Sequence, residues 1–195
     1  MRNLLLALGT ILPLVATTVY IVSIVRGRSK PHWTTRILFT LIGGLSFAAL
    51  VAGGDRSGVW LAFSSLLQAI ILLGLTVRYG VGGKDTFDLI CCGCCLLGVA
   101  AWMLTGESLA GLIASIATDL LAILPTLRKI WHQPHTESWV FYALDVPACA
   151  AIVLAGPYGW RELLFPVYLL LINLACACLI LARLPAVRDR IPSNL

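Results

Sequence analysis

Seven runs of apolar residues divide the chain, at 4–25, 37–52, 59–77, 87–104, 109–127, 140–155 and 163–182. Within each run the apolar residues occupy every face, with no period of two and no polar stripe. Such a run reads as a helix surrounded by apolar material, and about 20 such residues cross the hydrocarbon core of a bilayer. The second and sixth runs are short for that task. A barrel is not expected, because its strands would alternate apolar and polar residues over about ten positions. Gly53-Gly54-Asp55-Arg56-Ser57-Gly58, Gly80-Val81-Gly82-Gly83-Lys84-Asp85, Thr105-Gly106-Glu107-Ser108 and Gly156-Pro157-Tyr158-Gly159 separate runs as turn sequences. Arg2 before the first run resembles the start of a signal peptide. That run is too long for one, and no small-residue cleavage site precedes the basic loop.

Composition strengthens the membrane reading. Charged residues make up 12%, the AVILMFWYC class 59%, and mean hydropathy is +0.94. A soluble domain carries about 25% charged residues, so this chain lacks the means to coat a water-facing surface. The sequence therefore predicts an all-α integral membrane protein with seven transmembrane helices. Eleven of the fourteen Lys and Arg residues then fall on one side: Arg26, Arg28, Lys30, Arg36, Arg78, Lys84, Arg128, Lys129, Arg183, Arg188 and Arg190. Arg2, Arg56 and Arg161 fall on the other. The positive-inside rule puts the N-terminus outside and the C-terminus in the cytoplasm. The net charge of +5 is explained by that topology and by attraction to anionic membrane lipids. No nucleic-acid partner is expected, because the cations are split among short juxtamembrane segments.

An internal echo organises the runs. A shift of 103 places pairs Pro31 with Pro134, His32 with His135, Leu41 with Leu144, Ala48 with Ala151, Ala52 with Ala155 and Gly53 with Gly156. The Pro-His match carries most weight, since two of the chain's three histidines take part. Both copies lie on the same predicted side, so the repeat is parallel, about an axis along the membrane normal. The expected plan is 3+1+3: residues 1–79 form a first three-helix unit, 80–108 a linker region with the fourth span, and 109–195 a second unit with a cytoplasmic tail.

That plan, with Pro125-Thr126-Leu127-Arg128-Lys129-Ile130-Trp131 followed by His135-Thr136-Glu137-Ser138, resembles the SWEET sugar transporters and the wider PQ-loop group. It is also similar to a set of bacterial membrane proteins of unassigned activity that carry a Pro-Thr-Leu-Arg-Lys and Pro-His-Ser/Thr-Glu segment. The resemblance implies small-solute transport, with Pro125 and Pro147 as hinges and Asn173 matching a substrate-binding asparagine in the third helix of a unit. Gln68 occupies the corresponding helix of the first unit. The sequence departs from the group in three places. Pro13 lies near the outer end of the first helix, Val22 stands where Pro125 has its counterpart, and Thr126 replaces the glutamine of the Pro-Gln pair. No tryptophan is placed to stack on a sugar; Trp60, Trp102, Trp139 and Trp160 lie near span ends, as aromatic belts do.

Candidate chemistry is sparse. Asp119 and Asp145 are ionisable groups inside predicted spans, which are functional candidates by default. Asp119 equally suits a helix-packing role, and Gln68 and Asn173 serve either as solute ligands or as interhelical glue. Cys91-Cys92-Gly93-Cys94-Cys95 offers a thiolate set for zinc or Cu(I), or small polarisable packing residues; packing is the expectation, with no metal or other cofactor. Pro31, His32, Arg128, Lys129, Pro134 and His135 form the cytoplasmic motif, whose histidines suit a pH-sensitive gate, an anion site or plain solvation. Thr34 or Thr35, and Thr136 or Ser138, are placed to cap the second and sixth helices. No catalytic constellation is present, so no enzyme is expected. The leading expectation is a carrier of a small polar solute in a bacterial plasma membrane, open to homo-oligomers, with Asp119, Asn173 and Gln68 lining its path. A receptor or assembly factor on the same scaffold, using the basic loops to bind a partner, is the alternative.

Overall fold

A computed structural model describes residues 1–52, 56–83, 85–105, 108–155 and 160–188. Within them the chain forms seven α-helices: α1 (Arg2–Val25), α2 (Trp33–Ala52), α3 (Arg56–Tyr79), α4 (Thr86–Thr105), α5 (Ser108–His132), α6 (Trp139–Leu154) and α7 (Trp160–Arg188). A 3₁₀ turn at Pro134–Thr136 joins α5 to α6. The protein is all-α. Among the described residues there is no strand, only one isolated parallel bridge between His32 and Val81. The turn sequences at 53–55, 106–107 and 156–159, with Lys84 and the tail from Asp189, lie outside the described residues.

The seven apolar runs thus become seven helices, longer than the runs at their charged ends. α5 continues through Arg128 and Lys129 to His132, and α7 through Arg183 to Arg188. Hydropathy marks where apolar sequence stops. Backbone hydrogen bonding goes on, and cations in a last turn complement the helix dipole. By length and composition, two described helices could cross a membrane, Arg2–Val25 and, within α7, Leu163–Leu184. Leu66–Tyr79, Thr86–Leu97 and Trp139–Leu154 are shorter apolar stretches.

Two compact units are present, the first built from two separate stretches of chain and the second from one. The first comprises Met1–Ser29 with Leu127–Leu195, the second Lys30–Thr126. In the first, α1 packs on α6 and α6 on α7. Small residues make this possible: Ala16, Ala148, Ala151, Cys176 and Ala177 are all buried, and Gly9 lies so close to α6 that an added Cβ would come within 2.6 Å of Ile152 Cγ1. Helices that associate without water to drive them use such small contacts. In the second unit, α2 packs on α3 and α4, and Leu38, Cys95 and Ala122 form a buried cluster flanked by Phe39, Ile42, Cys92 and Leu121.

The capping expectation needs correction. Ser138 does occupy the N-cap position of α6, but its side chain makes no capping hydrogen bond. α2 starts at Trp33, so Thr34 and Thr35 lie inside its first turn. The bridge to Val81 explains the early start: Trp33 N–H donates to Val81 O (3.1 Å) and Val81 N–H to Pro31 O (3.0 Å), tying down the entering chain. Thr35 Oγ1 instead accepts from Thr126 Oγ1 (2.9 Å), joining α2 to α5.

Candidate functional site

The segment between α5 and α6 folds back on itself. Gln133 N–H donates to Lys129 O (2.7 Å), Thr136 N–H and Oγ1 both donate to Gln133 O, and Glu137 N–H donates to Pro134 O. The 3₁₀ turn makes these bonds possible, and Pro134, with no N–H to satisfy, starts it. Glu137 follows in extended conformation (φ −124°, ψ 154°), and its carboxylate turns inward. There it forms an ion pair with Lys129, the two side chains being 1% and 6% exposed.

A third residue completes the cluster. Tyr20, in α1 and wholly buried, donates from its hydroxyl toward Glu137 Oε2 (3.0 Å) and Oε1 (3.2 Å). Its ring stacks on Phe141 of α6 at 4.7 Å between centroids. One carboxylate therefore ties α1, the end of α5 and the start of α6. A buried carboxylate without partners would be very costly. Here a cation and a hydroxyl meet it, both through bonds strengthened by charge.

The second unit has a matching corner of different chemistry. His32 is buried and its Nε2 lies 3.5 Å from Asp88 Oδ2 at the start of α4. Gly83 N–H donates to the same oxygen (2.7 Å). Gly82, at φ +78°, lies against the imidazole so closely that a Cβ would approach His32 Cε1 and Cδ2 to 2.7 Å. The glycine-rich turn is thus a fitted cover over His32. Pro31 and Arg36 are buried beside it in sequence, whereas His132 and His135 are exposed. The two Pro-His copies have opposite surroundings, since neither Asp88 nor the Gly82 turn is part of the repeat.

The predicted intramembrane residues divide between the units. Asn173 is half-buried in α7, and its amide Nδ2 donates to Leu169 O of its own helix (2.9 Å). Asp145 is half-buried in α6, and its buried Oδ1 has no hydrogen-bond partner among the described residues. Gln68 and Asp119 are half-buried in the second unit, each engaged by a neighbouring group. Asn173 and Asp145 thus belong to the first unit, and Gln68 and Asp119 to the second. Pro125 is fully buried within α5, and Pro147 is exposed within α6. Each leaves one carbonyl a turn earlier, of Leu121 and of Ala143, without its helical donor. Arg128 is exposed. Of the cysteine cluster, Cys91 and Cys95 are buried, Cys94 is exposed, and Cys95 Sγ donates to Thr118 O (3.3 Å). Among the described residues no group of three or more His, Cys, Asp or Glu could hold a metal ion.

Sequence reasoning named Lys129 and His32 but missed Tyr20, Glu137 and Asp88 as partners. One signal was available. Glu137 is the only acidic residue between Asp119 and Asp145, and it follows a basic run from which it is separated by a proline turn. Compared with models of protein families, with curated proteins and with solved structures, the chain matches none.

Proposed function

We propose that this protein is a seven-span carrier of a small polar solute in a bacterial plasma membrane, with Asp145 as its central binding group. The observation that carries the reading is the buried Oδ1 of Asp145, which lacks a partner in an otherwise apolar helix. A carboxylate inside hydrocarbon is expensive and persists where it meets a ligand, water or a proton. Two residues further on, Pro147 interrupts the hydrogen bonding of α6, which lets the halves of that helix move relative to each other. Asn173, whose amide nitrogen is used by its own helix, keeps its side-chain oxygen as an acceptor.

Support for seven spans comes from the surface of the other five helices. Leu41 on α2, Ile70 on α3, Leu97 on α4, Ile113 on α5 and Leu154 on α6 are all more than half or about half exposed. Apolar exposure on every helix is rare in water-soluble proteins and ordinary in lipid. With seven spans, both buried acid–base corners fall on the cytoplasmic side. The Tyr20–Glu137–Lys129 cluster then serves as a rigid base from which the outer part of α6 moves.

Thermal stabilisation of the purified protein across sugars, amino acids and vitamins tests solute binding. The expected result is one chemical class that stabilises the wild type and has no effect on Asp145→Asn. Stabilisation equal in both proteins, or none by any solute, would remove Asp145 from the role.

A further inference from the structure

The inner end of α7 carries a feature that neither the carrier reading nor the buried corners use. The guanidinium carbon of Arg183 lies over the indole of Trp131, 3.2 Å from the ring centroid. Stacking engages the face of a guanidinium and leaves its five N–H donors in the plane, pointing outward. No carboxylate pairs with Arg183 among the described residues. Trp131 is itself 52% exposed, so the pair stands at the surface. Arg128, exposed and one turn before Trp131 on α5, adds a second positive charge.

From this basic end an apolar stripe runs along α7. Leu171, Leu174, Cys178 and Leu181 recur at helical spacing and are exposed. Charge and apolar surface are thus joined on one helix, with the charge at the end that the Lys and Arg distribution assigns to the cytoplasm. A purely apolar occupant would leave the guanidinium donors unused, and a soluble anion would leave the stripe uncovered.

We propose that this surface binds an anionic phospholipid. Its phosphate accepts hydrogen bonds from the in-plane edge of Arg183, held in orientation by Trp131, and one acyl chain lies along Leu174, Cys178 and Leu181. The inference rests on the membrane reading, but not on transport or on Asp145.

The test compares lipid retained by the detergent-purified protein after equilibration with phosphatidylglycerol or phosphatidylcholine of identical chains, read by native mass spectrometry. The wild type retains phosphatidylglycerol in preference, and Arg183→Gln lowers that preference about tenfold, the worth of one charge-assisted hydrogen bond. Arg183→Lys keeps the charge but loses the stacked fork, and gives an intermediate value. Arg2→Gln, at the opposite end, changes nothing. Circular dichroism of each variant checks that the helices are intact. Glycerol phosphate in solution does not displace the lipid. Equal retention of the two lipids, an unaltered preference in Arg183→Gln, or displacement by glycerol phosphate would overturn the proposal. Release of the protein from membranes by alkaline carbonate would instead overturn the membrane reading beneath it.

Discussion

Tyr20 and Glu137 lie 117 positions apart and meet through a hydroxyl-to-carboxylate hydrogen bond in the interior of one helical unit. With Lys129 on its other side, Glu137 is held by α1 and by the end of α5, which are far apart in the sequence. The arrangement predicts asymmetric costs. Glu137→Ala leaves the Lys129 ammonium buried without its counter-charge and should destabilise by about 3–5 kcal/mol. Lys129→Met combined with Glu137→Leu removes both charges and should cost much less. Unfolding in a detergent series reads both, and a double variant as unstable as the single would contradict the ion-pair account.

Tyr20→Phe isolates the hydroxyl. The ring contact with Phe141 survives, and the bond to the carboxylate is lost. Bonds to charged groups contribute about 1.5–3 kcal/mol, so a stability loss in that range is expected in the same assay. A loss below a few tenths would mean that Tyr20 matters for its ring alone.

In the second unit the fitted turn over His32 makes Gly82 hard to replace. Its φ of +78° is unfavourable to any side chain, by about 1–2 kcal/mol, and a Cβ would also strike the imidazole. Gly82→Ala should therefore lower the melting temperature clearly. Gly93 in α4 has no atom within 4 Å of an added Cβ, so Gly93→Ala should be neutral or stabilising by up to about 1 kcal/mol. Equal effects at the two sites would refute the close cover on His32.

The contact of α1 with α6 is tested by size. Gly9→Val should weaken packing in the first unit because Ile152 occupies the space, and Ile152→Ala should restore it. Failure of the second change to rescue the first would show that the two helices do not meet there.

Much of the helix count was legible because glycine and proline punctuation separates runs that are apolar on every side. Helix ends were not, since Arg128, Lys129 and Arg183 extend helices past the point where hydropathy falls. Asp145 was readable as an ionisable group in an apolar run, and its chemical interest survives in the partnerless Oδ1. The corners were harder. His32 and His135 sit in the same dipeptide, yet one is buried against Asp88 and the other exposed. That difference is decided by residues about fifty positions away, and no local pattern encodes it. Tyr20 looked like one more residue of an apolar span, because its partner lies 117 positions away.

Orientation can be checked with a reporter enzyme active only outside the cell. Insertion at residues 54, 106 or 157 should give activity, and insertion at 27, 83 or 133 should give none. Activity from the second set would contradict the proposed topology.

Solute movement is the central claim, and flux into proteoliposomes measures it most directly. Wild-type vesicles should accumulate or exchange the solute class that stabilises the protein, and Asp145→Asn vesicles should fall to the rate of empty ones while keeping the same helical content. Flux at the wild-type rate through Asp145→Asn, or no flux of any solute through the wild type, would contradict the account.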